Sequence, residues 1–251
     1  MKIELLSKAQ LSIINKNSQK YPLATAEKDY ILALVLHIIY NTSLKDKLIF
    51  KGGTAIHHLY LDQLRFSEDL DFSSISSVGV QGIEEALKPY DFLEVISYHE
   101  SQFALKIERI KYYGPLEQPN SIKIDIDLTQ KLLLPPVTMK YNNYYKVPVS
   151  VKAMDIVEIC AEKLRAINER ARYRDFYDLT LVVLNHDINP EDIVAILLNK
   201  ELRKPLSKNV VMDNLKMALM SMKSGAETIY YKKSLSDKDI QSTLNRFLDY
   251  L

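Results

Sequence analysis

Between Thr25 and Tyr40 apolar side chains crowd the chain (TAEKDYILALVLHIIY), so no single stripe can be drawn around a 3.6-residue turn. Such a segment, with Pro22 ahead of it, predicts a helix packed on several sides. Its most apolar stretch, Tyr30–Tyr40, carries His37 and falls short of the roughly 20 residues that a membrane span needs. The first 45 residues as a whole read as helical. The texture then changes. KLIFKGGTAIHHLYLDQLRFSEDLDFSS predicts a short apolar strand, a double glycine, a helix, a polar turn and a second strand. From Phe103 to Leu128 the pattern gives further strands. SIKIDIDL alternates strictly, with Ile122, Ile124, Ile126 and Leu128 on one face and Lys123, Asp125 and Asp127 on the other. Gly114, Pro115, Pro119 and Asn120 mark the loop before it, and Pro135 and Pro136 break the chain again. YYKVPVSV predicts a last strand before Met154.

Beyond Asp155 the pattern is helical. Asp155 followed by Glu158 has capping-box spacing, with Asp in place of Ser or Thr. Further helices are expected at about 175–185, 190–203, 207–223 and 236–250. Strands mixed with helices, then helices alone, predict an α+β domain over residues 1–150 followed by a helical domain over 151–251.

Composition narrows the possibilities. The 251 residues are 47% hydrophobic and 26% charged, near the globular norm, and suffice for one large or two modest cores. The net charge of +1 gives no overall polycation, so a nucleic acid would have to meet a local patch. Residues 200–238 hold nine Lys or Arg against four Asp or Glu, enough for such a patch, although a solvated helical face gives the same bias. One cysteine, Cys160, excludes an internal disulfide. With MKIELLSKAQ at the start, unlike a signal peptide, it points to the cytoplasm.

The candidate chemistry is acidic. Gly52-Gly53-Thr54 lies between strand and helix, where glycines let backbone N–H groups approach phosphate oxygens and the Thr54 hydroxyl adds a donor; a plain tight turn has the same pattern. Asp69 and Asp71 follow, two residues apart and on one face of a strand, with Leu70 and Phe72 turned to the core. Carboxylates about 7 Å apart at Cα can converge on a hard cation such as Mg²⁺, or Mn²⁺. Asp125 on the alternating strand is the candidate third carboxylate, with Asp127 as the alternative. Three such groups repel without a cation, which suits phosphoryl or nucleotidyl transfer. A solvated acidic turn and a half-exposed strand are the plain alternatives.

In the helix from Ile156, the residues Ile156, Ile159, Cys160, Leu164 and Ile167 form one apolar arc, and Lys163 falls near its middle. Arg170 lies on nearly the same line. Glu158, Glu162, Arg165 and Glu169 take the opposite, solvated face. In the next helix Asp175 and Asp178 share a face with Leu179 and Val182. A lysine on a buried face needs an anion, either a substrate phosphate or a carboxylate such as Asp175.

KGGTAIHHLYLDQLRFSEDLDF followed by AEKLRAINERARYRDFYDL resembles the AbiEii-type nucleotidyltransferases, toxins of type IV toxin–antitoxin and phage-abortive infection systems. The resemblance also touches Glu27-Lys28-Asp29 and the IKIDIDL strand, so it runs from about residue 25 to 185. It implies a DNA polymerase β-like nucleotidyltransferase domain with a mixed sheet, followed by a helical domain. Residue by residue it implies Gly53 and Thr54 at the glycine motif, Asp69 and Asp71 as the metal pair, Lys163 as the lysine of the second motif and Asp175 as the aspartate of the last. Many members have Ser where this chain has Thr54, and the hydroxyl is kept. On this basis the expected nucleotide-binding residues are Gly52, Gly53, Thr54, Lys163 and Arg170. The expected metal ligands are Asp69, Asp71 and Asp125, and the expected catalytic set is these three with Lys163 and Asp175. The family further implies an NTP substrate, the 3′ end of tRNA as acceptor and a cognate antitoxin as partner. A transferase acting on a protein hydroxyl, or a catalytically silent binding partner, are the alternatives.

Overall fold

The computed structural model describes residues 3–200, 204–225, 230–248 and 250. The chain divides into two units. The first holds the segments up to Leu59, Phe66–Gln130 and Pro136–Ala153. The second holds Tyr60–Arg65, Lys131–Pro135 and the chain from Met154 onward.

In the first unit, α1 (Lys8–Asn17) opens on a complete capping box between Ser7 and Gln10. α2 (Leu23–Tyr40) has every residue from Tyr30 to Tyr40 buried, His37 included. The Nδ1 of His37 lies 2.7 Å from the Pro148 carbonyl oxygen, which gives the buried imidazole a partner. Among the described residues no helix is long and apolar enough to cross a membrane. A 3₁₀ turn, Ser43–Asp46, leads into β1 (Leu48–Lys51), and the short α3 (Gly52–Ala55) widens into a π turn, Ile56–Tyr60. There follow β2 (Asp69–Ser74), α4 (Val80–Leu87), β3 (Leu93–Glu100), β4 (Ala104–Tyr113), β5 (Pro119–Asp127), β6 (Val137–Lys140) and β7 (Ser150–Ala153).

The seven strands form one mixed sheet in the order β3-β4-β5-β2-β1-β7-β6. The pairs β2–β5 and β1–β7 are parallel and the rest antiparallel. Leu70 and Phe72 of β2 stand beside Ile124 and Ile126 of β5, which stand beside Ile107 and Leu105 of β4. All six are buried. Helix α2 packs on β5 and β7, and α4 packs on α2 and β3, so this is the covered face. Burying each Ile, Leu or Phe contributes about 1.5–3 kcal/mol, and a slip of one residue would turn the set outward, so the register is firmly fixed.

Three elements of this unit depart from the sequence expectation. No element is expected from sequence at β3, α4 or β6: β3 and β6 are the sheet's edge strands, mostly exposed, whereas α4 is a short helix that buries Val80, Ile83, Ala86 and Leu87 at helical spacing. The last strand also starts later than YYKVPVSV suggests. Pro148 offers no N–H to a ladder, Lys146 has φ +59°, and the Asn143 side chain bonds both the N–H and the carbonyl of Val147, at 3.0 and 2.8 Å. Tyr145, Val147 and Val149 alternate inward as a loop, and only Ser150–Ala153 joins the sheet.

The second unit is helical: α5 (Ile156–Glu169), α6 (Tyr173–Asn185), α7 (Pro190–Leu198), α8 (Lys208–Lys223) and α9 (Asp237–Leu248). α5 packs against α6, α7 and α8, and α6 against α9. The Asp155 carboxylate caps α5 by accepting the Val157 N–H at 2.8 Å. Glu158 does not close a capping box, nor is it solvated as its place on the wheel suggested. It is buried, accepts the N–H groups of Leu133 and Leu134 at 3.0 and 2.9 Å, and pairs with Lys200 at 2.7 Å. The segment 131–135 has no ladder of its own, and this carboxylate satisfies its amides. Burial raises the pKa of the Cys160 thiol, so it is a packing residue rather than a nucleophile. Of the basic bias in 200–238, Glu201, Arg203 and Glu227 lie outside the described residues.

Candidate active site

On the face of the sheet away from α2, one row of side-chain positions crosses five strands. His99 of β3 is the register partner of Lys106 of β4, Lys106 of Asp125 of β5, Asp125 of Asp71 of β2, and Asp71 of Lys51 of β1. Asp69 stands two residues along β2 with Lys123 as its partner. Asp69 and Asp71 are half-buried and Asp125 is exposed. The parallel β2–β5 pairing therefore sets Asp71 and Asp125 side by side, their side chains rising on the same face.

Asp127 has another occupation. Its Oδ1 accepts from the Thr129 N–H, the Thr129 hydroxyl and the Gln130 N–H at 3.0, 3.2 and 3.0 Å. Its Oδ2 lies 3.8 Å from the Lys51 ammonium. It ties off the end of β5, whereas Asp125 remains beside Asp71.

The glycine turn is shaped around the same carboxylates. Gly52 has φ +78°, and a Cβ there would overlap the Asp71 side chain, with the carboxyl carbon only 2.7 Å away. A residue with a side chain would be strained and would also displace Asp71. Thr54 is buried, and its hydroxyl donates to the Asp69 carbonyl at 2.5 Å. That proton is spent on fixing the start of β2 against the turn, which makes Thr54 a positioning group.

The donor set suits a hard cation: carboxylate oxygens on adjacent positions of a rigid sheet. Among the described residues no group of three or more His, Cys, Asp or Glu side chains is drawn together tightly enough to hold an ion alone. Mg²⁺ is usually held in another way, by one or two carboxylates with water and substrate phosphates completing the shell, and the row fits that arrangement.

The acidic residues of the resemblance's first segment serve the fold. Glu27 accepts the Leu116 N–H at 2.6 Å, and burial raises its pKa against that bond. Asp29 is buried against the Tyr145 hydroxyl at 3.1 Å and the His58 ring at 3.4 Å. Lys28 pairs with Glu68 at 3.0 Å.

The second unit gathers a different cluster. The Lys163 ammonium sits 2.9 Å from both Asp175 and Asp178. Arg170 donates Nε–H to Asp175 at 2.8 Å, and Arg65 grips Asp178 with two bonds of 2.7 and 2.6 Å. Asp178 is fully buried, Asp175 nearly so, and Arg170 is half-exposed. Burial would raise the Asp175 carboxyl, but Lys163 and Arg170 outweigh it and bring it down to about 2. Burial would lower the Lys163 ammonium, and Asp175 and Asp178 raise it instead, so it stays charged. Arg65 was not singled out from sequence. Its partner is 113 residues away, and only the Asp175/Asp178 spacing hinted that a second cation was needed.

A family model described as nucleotidyl transferase AbiEii toxin, type IV TA system, matches residues 34–249, well beyond residue 185 where the visible motifs end. No curated protein matches the chain. Among solved structures, the nucleotidyltransferase toxin MenT4 of Mycobacterium tuberculosis is similar over 97% of this chain and 99% of its own, with 15% identity and a TM-score of 0.62. A candidate nucleotidyltransferase from H. pylori is similar over 91% of this chain and 93% of its own, with 16% identity and a TM-score of 0.58. At these identities the likeness is one of fold.

Proposed function

Because the chain belongs to the AbiEii family of nucleotidyltransferase toxins of type IV toxin–antitoxin systems, we propose that it transfers a nucleoside monophosphate from an NTP to the 3′ end of tRNA in the cytoplasm. Membership of a toxin–antitoxin family implies an antitoxin partner. The observation that carries the chemical reading is the register pairing of Asp71 with Asp125, beside a glycine turn that leaves room for the Asp71 carboxylate.

In this reading Asp69, Asp71 and Asp125 would hold Mg²⁺, which when bound would polarise the α-phosphate and acidify the acceptor hydroxyl. Asp125, the exposed member, aligns that hydroxyl and helps take its proton. The acceptor oxygen forms a bond to the α-phosphorus, the bond to the bridging β-oxygen breaks, and pyrophosphate leaves with that electron pair. Gly52 and Gly53 let backbone N–H groups approach the terminal phosphates, and Thr54 keeps Asp69 at the mouth of the turn. In the helical unit Asp175, bonded to both, fixes the heads of Lys163 and Arg170, the cations that the resemblance assigns to the nucleotide. Catalysis then rests on positioning and electrostatics, with no covalent enzyme intermediate.

The test is a labelling assay with purified protein, Mg²⁺, each labelled NTP in turn, total tRNA and a protein extract. Label on tRNA, cut on the order of 10²-fold or more by Asp69→Ala, is the expected result. Label confined to protein would reject the acceptor. Labelling indifferent to Asp69→Ala would reject the mechanism.

A further inference from the structure

Lys51, the last residue of β1, is the one buried lysine or arginine among the described residues of the first unit. It is 8% exposed and stands in register with Asp71, yet its ammonium lies 3.8 Å from Asp127 of β5. β2 runs between β1 and β5, so the lysine chain crosses β2 to get there. The β2 positions at that crossing are Asp71, its own partner, and Ser73, the partner of Asp127. Ser73 is fully buried, and its hydroxyl finds no hydrogen-bond partner among the described residues.

At 3.8 Å the attraction between Lys51 and Asp127 is one of charge rather than a directed hydrogen bond. Asp69, Asp71, Asp125 and Asp127 bring four carboxylates to this face. Lys106 and Lys123 share the face but are exposed, where water and salt screen them. Lys51 is shielded and acts at close range. Directly opposed side chains of an antiparallel pair start only about 4.5–5.5 Å apart at Cβ. Any cation that Asp71 would hold is therefore a near neighbour of a fixed positive charge, and the two repel.

We propose that Lys51 is the resident counter-cation of the acidic row. It neutralises Asp71 and Asp127 while no metal is bound and yields when a divalent cation binds, so it sets how tightly the row takes free metal. Ser73, diagonal to Lys51 across the β1–β2 pair and within reach of a long side chain, is a ready acceptor for the displaced ammonium. Lys51 acts through the carboxylates and is a positioning residue. The proposal rests on the metal reading above and adds to it the group that controls metal occupancy.

The test is metal binding, which does not depend on turnover. Mn²⁺ is titrated without nucleotide against the parent chain, Lys51→Met, Lys51→Arg and Asp71→Asn, and the free ion is read by its EPR signal. Lys51→Met keeps most of the side chain and removes the charge. It binds Mn²⁺ about 5-fold or more tightly than the parent, the scale of one unit charge acting on a divalent ion at roughly 7 Å through water. Lys51→Arg keeps the charge and stays within about 2-fold, while Asp71→Asn weakens binding about 10-fold or more. Without metal Lys51→Met melts below the parent, and saturating Mn²⁺ raises its melting temperature by more than it raises the parent's. A lysine that only ties strands together predicts no gain in affinity. Lys51→Gln is the second variant, with the same tightening expected. If neither uncharged variant folds and Mn²⁺ restores neither, the proposal fails. Parental or weaker affinity in the folded uncharged variants, beside an Asp71→Asn chain that has lost affinity, overturns the role of Lys51 alone. No Mn²⁺ bound by any of the chains, or binding indifferent to Asp71→Asn, overturns the metal reading with it.

Discussion

Aspartates do opposite work in the two units. On the sheet, Asp71 and Asp125 stand side by side with like charge, and Asp125 is open to water. In the helical unit, Asp175 and Asp178 are sealed from water, and each is held by two cations. In the proposed reading the exposed Asp125 is left open to a cation. A positioning carboxylate has to be satisfied at all times, because a lone buried charge costs several kcal/mol. On the proposed roles, burial and pairing, rather than residue type, separate the groups that meet substrate from those that hold other groups still.

The comparison can be broken most forcefully at Asp178. Asp178→Ala strands Arg65 and half of the Lys163 pairing inside the helical unit, and chemical denaturation should report a loss of about 3–5 kcal/mol. A change under about 1 kcal/mol would mean that the pairing is not structural. The next effect is acid. Asp175 has its pKa lowered from 3.8 to about 2 in the folded chain. Its contribution is therefore fully present above about pH 4 and is lost as the pH falls toward 2. By linkage this amounts to about 2 kcal/mol, absent in Asp175→Asn, whose unfolding free energy should be flatter across that window. The smallest effect on stability, and the most telling, belongs to the sheet. Asp125→Asn removes a like charge beside Asp71, so its melting should match or slightly exceed that of the parent, within about 0.5 kcal/mol. Labelling by the same variant should nevertheless collapse, a split that a structural aspartate would not produce.

How legible this was in the sequence varied with the range of the interaction. The alternation of IKIDIDL gave β5 its register face directly, because one side of a strand is read by a period of two. Lys163 stood out because a charge in the apolar arc of α5 has few explanations, and its partners lay within fifteen residues. Glu158 was misjudged for the opposite reason. On a helical wheel it belongs with the solvated charges, and nothing local shows that the amides of Leu133 and Leu134 and the ammonium of Lys200 converge on it. Arg65 was invisible because a lone arginine in a turn carries no period. The Thr54 hydroxyl bonds the Asp69 carbonyl, a contact that closes only when β2 folds back beside the turn and that its place in the sequence does not show. A face assignment gives Asp125 and Asp127 alike; that Asp125 pairs in register with Asp71 while Asp127 is bonded into the turn at 129–130 comes only from the fold.

The hollow at Gly52 has a practical meaning. The space that a single methyl group would fill is the space in which the Asp71 carboxylate sits. Alanine at this position would act as a built-in plug: it would strain the turn, whose φ is +78°, and push the carboxylate from its seat, while every charged residue of the chain is kept. A chain silenced this way loses the placement of one carboxylate without losing any charge, so it separates the geometry of the site from its composition.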